Sequence, residues 1–113
     1  MESLTTPWGV VRLSNMKAKE LVRSRIVYSA SVFAELILWE LPRAQSGTTH
    51  HFKYRLAFVV NGKCLIRYDN EAGKGDHRHV GGKEHRYEFT TPKQLVADFE
   101  RDIERWIDEN SDS

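Results

Sequence analysis

The sequence predicts an α+β domain: an antiparallel β-meander of about five strands with a C-terminal helix packed on one face. Three observations predict it. Asn61-Gly62 lies between two β-rich runs and marks a tight hairpin, because both central positions of a type I′ turn need positive φ, which these residues tolerate best. Thr91-Pro92-Lys93-Gln94 opens an amphipathic helix, with Thr91 as N-cap, Pro92 at the first helical position and Gln94 completing a capping box. Finally, 113 residues that are 40% hydrophobic and 29% charged suffice for one core and make a second improbable.

In chain order, residues 1–16 contain Pro7 and Gly9, lack periodicity and read as a flexible N-terminal arm, leaving 17–110 as a single domain. Lys17 to Leu21 favours helix on propensity, but Ile26-Val27-Tyr28 is β-rich, so a strand ending at Tyr28 is expected, with Ser29-Ala30-Ser31 as its turn. Val32 to Leu41 is a strand stopped by Pro42. Arg43 to His51 is a polar loop. Phe52 to Val60 and Lys63 to Asp69 are the arms of the Asn61-Gly62 hairpin, the second with Cys64, Ile66 and Tyr68 on one face and Leu65 and Arg67 on the other. A long loop with Gly73, Gly75, Gly81 and Gly82 follows, then a short strand from Arg86 to Phe89. In the last helix Leu95, Phe99, Ile103, Trp106 and Ile107 form the apolar stripe, while Asp98, Glu100, Asp102, Glu104 and Arg105 are expected mostly away from it. Trp8 and Trp39 read as packing residues.

Composition narrows the function classes. No apolar run approaches the roughly 18–20 residues of a membrane span. The single cysteine, Cys64, excludes an intramolecular disulfide, fits a reducing cytosol and reads as a small buried apolar residue. A cytoplasmic protein is therefore expected. Charge is unevenly divided: residues 50–90 carry eight basic side chains against five acidic and all five histidines, whereas residues 98–113 carry seven acidic against two basic. A cationic body attracts phosphate, although charge on a surface more often only keeps it solvated.

The run Tyr68 to His79 concentrates the chemistry. His77 and His79 are the natural base and acid of metal-independent RNA cleavage, because imidazole changes protonation near working pH. Arg78, Lys74 and Arg67 suit phosphate, arginine by two parallel hydrogen bonds. Asp76 or Asp69 can orient a histidine, and Tyr68 or Tyr87 can stack on an unpaired base. If His77 to His79 is extended, its two imidazoles share one face and Arg78 points to the other. The same two imidazoles with Asp76 or Asp69 also resemble part of a zinc or manganese site, a weaker reading that leaves the expected cofactor as none. The bland alternative is that Asp76, His77 and Arg78 plug a glycine loop onto the sheet. His50, His51 and His85 read as solvated loop-edge residues. Gly73-Lys74-Gly75-Asp76 lacks the spacing of a P-loop.

The segments Arg55-Leu56-Ala57-Phe58-Val59-Val60-Asn61-Gly62, Arg67-Tyr68-Asp69-Asn70-Glu71, Gly73-Lys74-Gly75-Asp76-His77-Arg78-His79 and Gly81-Gly82 together resemble the TumE-type toxins of bacterial toxin–antitoxin pairs. Tyr87-Glu88-Phe89 and Trp106 occupy the places of that family's Tyr-x-Phe strand and late-helix tryptophan. The resemblance covers about residues 17–107, and the first turn departs from it, with Ser29-Ala30-Ser31 where an Asp-Gly turn is expected. It implies a protein that harms its own cell unless a cognate antitoxin, usually a DNA-binding helix-turn-helix protein, neutralises it. It implies no particular reaction. Three readings follow: a ribonuclease acting through Asp69–His79, a non-catalytic inhibitory binder, and a metal-dependent phosphodiesterase or other nucleotide-modifying enzyme.

Overall fold

The computed structural model describes residues 5–6, 9–10, 18–44, 48–70 and 73–111. Two short strands, β1 (Thr5–Thr6) and β2 (Gly9–Val10), pair with each other. The rest of the arm expected over residues 1–16 lies outside the described residues. The body is one antiparallel sheet of β3 (Lys19–Ser29), β4 (Val32–Glu40), β5 (Phe52–Val60), β6 (Lys63–Asp69), β7 (His77–Val80) and β8 (Lys83–Arg86), in sequential order, with α1 (Pro92–Asn110) against it. The predicted class, α+β with a meander and one C-terminal helix, is the observed one.

The pleat explains the core. Ala34, Leu36 and Leu38 on β4, Tyr54, Leu56 and Phe58 on β5, and Ile66 and Tyr68 on β6 share the face that meets Leu95, Phe99 and Ile103 of α1, and all are buried. Each large apolar side chain removed from water there contributes about 1.5–3 kcal/mol before entropic costs. Trp39 is buried, as a packing role requires.

The turns behave as their chemistry dictates. Asn61 and Gly62 take φ of 52° and 79°, the left-handed pair that a type I′ hairpin needs. The β3–β4 turn, Ala30-Ser31, has no positive φ; a register shift between Val27 and Ser29 accommodates it instead. At the helix start Thr91 Oγ1 accepts from Gln94 N at 3.1 Å, as capping predicts. The Gln94 side chain also reaches along the helix, its Nε2 donating to Asp98 Oδ1 at 2.8 Å.

Several expectations are corrected. The sheet has six strands, not about five: residues 77–86 form a tight hairpin turned at Gly81-Gly82, where a loop was expected. The last strand is Lys83–Arg86 rather than Arg86–Phe89. Cys64 lies in a strand but is exposed near the turn. Asp102 is buried on the sheet side of α1, seven residues after Leu95 and thus on the same helical face.

Candidate functional site on the uncovered face of the sheet

The alternation of β7 sorts the polar run into two groups. Arg78 points towards α1, opposite Tyr68 in register, whereas His77 and His79 point to the opposite face, which no helix among the described residues covers. On the helix side Arg78 grips Asp102 with two parallel bonds, Nε to Oδ2 at 2.9 Å and Nη2 to Oδ1 at 3.1 Å. The hydroxyl of Tyr68 donates to the same Oδ2 at 2.5 Å. The bond to Asp102 is the main reason the Arg78 guanidinium holds its proton even more firmly than usual. Burial first, and then that carboxylate, raises the Tyr68 phenol. Tyr68 is wholly buried, so its ring is not offered to a base.

Two further tyrosine–aspartate pairs follow the same plan. The Tyr87 hydroxyl donates to Asp98 Oδ2 at 2.5 Å, and burial followed by this bond raises the phenol. Burial works against the charge of Asp98, but bonds from Tyr87 and Gln94 and the guanidinium of Arg101 outweigh it and hold the carboxyl below its ordinary range. The Tyr54 hydroxyl donates to Asp76 Oδ2 at 2.6 Å, and it too is kept neutral, by burial first and by Asp76 second. All three phenols therefore stay protonated donors that anchor carboxylates.

The connection from β6 to β7 is clamped from both ends. Asn70 is fully buried; its Oδ1 accepts from Tyr54 N at 2.9 Å and its Nδ2 donates to the Phe52 carbonyl at 2.6 Å. Asp76 Oδ2 also meets His50 Nε2 at 2.8 Å, and the Asp76 carbonyl accepts from Tyr87 N at 3.0 Å. Between them Gly73 and Gly75 take positive φ of 86° and 78°, and Lys74 is exposed. His50, expected as a solvated edge residue, is instead half-buried and stacked on Phe89 with ring centroids 4.0 Å apart. Its Nδ1 accepts from Phe52 N at 3.1 Å, so both ring nitrogens are engaged and neither is left for proton transfer. His51 and His85 are exposed, as expected.

On the uncovered face, register places Arg55, Asp69, His77 and Arg86 in one cross-strand row and Ala57, Arg67, His79 and Glu84 in the next. Directly opposed side chains of this kind stand about 4.5–5.5 Å apart at Cβ. Glu84 Oε2 lies 3.5 Å from His77 Nε2 and 3.8 Å from His79 Nε2, so one carboxylate stands near both imidazoles. Arg67 Nη2 is 2.9 Å from His79 Nε2. Guanidinium has no acceptor, so Arg67 donates and that ring nitrogen accepts. Arg67 Nε sits 3.3 Å from Asp69 Oδ2, close enough for an ion pair but outside hydrogen-bond geometry, and this buried N–H is unsatisfied among the described residues.

The structure thus gathers Arg67, Asp69, His77 and His79 and separates from them Tyr68, Arg78 and Tyr87 on the helix side and Asp76 beneath the loop. Arg55, Glu84 and Arg86 join the cluster without having been singled out in the sequence. The signal for them was available: Gly81-Gly82 between polar runs marks a hairpin, which sets Glu84 opposite His79 and Arg86 opposite His77. Among the described residues, no three histidine, cysteine or carboxylate side chains converge as metal ligands would. No helix among them is long and apolar enough to cross a membrane.

A family profile described as "Toxin TumE" matches residues 15–107, most of the chain and all of the site. No curated protein and no solved structure matches it. The chain belongs to the TumE toxin family.

Proposed function

We propose that this chain is the toxin of a bacterial toxin–antitoxin pair and acts in the cytoplasm as a ribonuclease, through a single domain over residues 17–110. The observation that carries this reading is the pair His77 and His79 on one uncovered strand face, flanked by Arg67 and Arg86 and sharing Glu84. Cleavage of a phosphodiester by its own 2′-hydroxyl needs one group to take a proton, one to give a proton, and cations where charge builds. His79, whose Nε2 is an acceptor, takes the 2′-hydroxyl proton once Arg67 turns from it to the scissile phosphate. That move also gives the unsatisfied Arg67 N–H an anionic partner. The 2′-oxygen bonds to phosphorus, the bond to the 5′-oxygen breaks, and His77, beside the Glu84 carboxylate, donates a proton to the departing oxygen. The products are a 2′,3′-cyclic phosphate and a free 5′-hydroxyl. Asp69, beside His77 in register, orients that ring, and Arg55, Arg86 and Lys74 hold flanking phosphates.

A second reading is a toxin that blocks its target by binding through the same face without cleavage. It is favoured by one contact: Arg67 occupies the lone pair of His79 that a base would use. In both readings the partner is a cognate antitoxin, with a helix-turn-helix protein as the expected type.

Induced expression of the wild type should arrest growth, and His77→Ala and His79→Ala should relieve the arrest while accumulating as folded protein. Purified wild type should degrade RNA whether or not a chelator is present. Arrest without loss of intact RNA selects the binding reading, cleavage abolished by chelator selects a metal-dependent phosphodiesterase, and arrest that survives both substitutions overturns the role given to the histidines.

A further inference from the structure

A cleft of about 580 Å³ opens beside the histidine strand, lined among others by Thr49, His50, Asp76, Arg86, Glu88 and Phe89. Its volume lies in the range of roughly 300–1,000 Å³ typical of small-molecule sites. It reaches the histidine strand at one rim, where Arg86 is the cross-strand partner of His77. We infer that this cleft is a nucleobase subsite that selects guanine in single-stranded RNA. The inference rests on the ribonuclease reading for its biological meaning but not for its measurement.

Three features select this ligand. The first is an aromatic wall: Phe89 is half-buried, stacked on His50 at 4.0 Å and backed by Phe52 and Tyr54 at 5.4 and 5.8 Å between centroids. A ring so immobilised offers a stacking surface at little entropic cost, and base–aromatic stacking contributes about 1–3 kcal/mol per base. The second is a prepaid acceptor. Asp76 Oδ2 receives both His50 Nε2 and the Tyr54 hydroxyl, while Oδ1 has no partner among the described residues. The cleft also carries the Glu88 carboxylate. Carboxylate oxygens demand N–H donors, and guanine alone among the four bases presents two adjacent kinds, N1–H and N2–H₂, on its pairing edge. The third is the cation at the rim: Arg86 stands between the cleft and His77, where the phosphate of a nucleotide seated in the cleft would lie.

The experiment is titration of the purified full chain with guanosine and uridine 5′-monophosphates, followed by calorimetry, alongside cleavage of a defined single-stranded RNA. Guanosine monophosphate should bind at least tenfold more tightly than uridine monophosphate, and Phe89→Leu should weaken it about tenfold. If Phe89→Leu lowers the melting temperature, Glu88→Gln on the exposed rim gives the second reading, and it should narrow the preference for guanine. His77→Ala should abolish cleavage and leave guanosine monophosphate affinity within twofold. Cleavage without base preference, or equal binding of both nucleotides, overturns the subsite while leaving the ribonuclease intact. Selective nucleotide binding without cleavage leaves the subsite standing and removes the ribonuclease.

Discussion

The two faces of this sheet use their charged groups in opposite ways. On the helix side, Arg78 and Asp102 are locked in a bidentate pair, with Tyr68 sharing the carboxylate and almost no water reaching Asp102. On the uncovered side, half-buried Arg67, His77 and His79 and exposed Glu84 meet at 2.9–3.8 Å in single contacts, with one N–H unsatisfied among the described residues. The first arrangement is closed: both oxygens of Asp102 are held, and removing the carboxylate strands its donors. The second is open, since its contacts can be exchanged for those of a ligand at small cost. One continuous polar run thus builds a scaffold with alternate residues and an open polar surface with the others.

This contrast is broken most directly at its strongest point. Asp102→Ala leaves the Arg78 guanidinium and the Tyr68 hydroxyl without their acceptor beneath α1, and should cost about 3–5 kcal/mol of folding stability, measured by urea denaturation. A loss under 1 kcal/mol would mean the pair is not closed. Tyr54→Phe removes one hydroxyl donor from Asp76 and should cost about 1.5–3 kcal/mol, read in the same way. A smaller effect is carried by pH. The Asp98 carboxyl is held below its ordinary range, so its contribution is present above the unfolded pKa and is lost as pH falls through the lowered folded value. Asp98→Asn should therefore be less stable than wild type at neutral pH and converge with it in acid, as melting temperatures across pH would reveal. Smallest of all on stability, His77→Ala and His79→Ala should shift unfolding by less than about 1 kcal/mol, although they empty the centre of the site.

The same division explains what the sequence could reveal. The Asn61-Gly62 turn and the Thr91 cap are local chemistry, and both stand where that chemistry puts them. The Leu95, Phe99 and Ile103 stripe is a clean helical period and forms the core. The hairpin of β7 and β8 was hidden because His-Arg-His-Val and Lys-Glu-His-Arg show little apolar alternation. One face of β7 meets solvent, and the other is anchored partly by an ion pair rather than a hydrocarbon side chain. Asp102 was hidden for the matching reason, since a carboxylate on the core face of a helix is expected only when its partner is known. The bond of His50 to Asp76 joins residues 26 apart, a separation no local pattern encodes.

Under the proposed function, reactivity belongs to the uncovered face of β7 and stability to the covered one. The most direct test is the rate of RNA cleavage by His77→Ala and His79→Ala, at a temperature where each variant is demonstrably folded. Each should lose about 10²–10⁴-fold in rate with its unfolding curve nearly unchanged. Wild-type cleavage rates in both folded variants would contradict it.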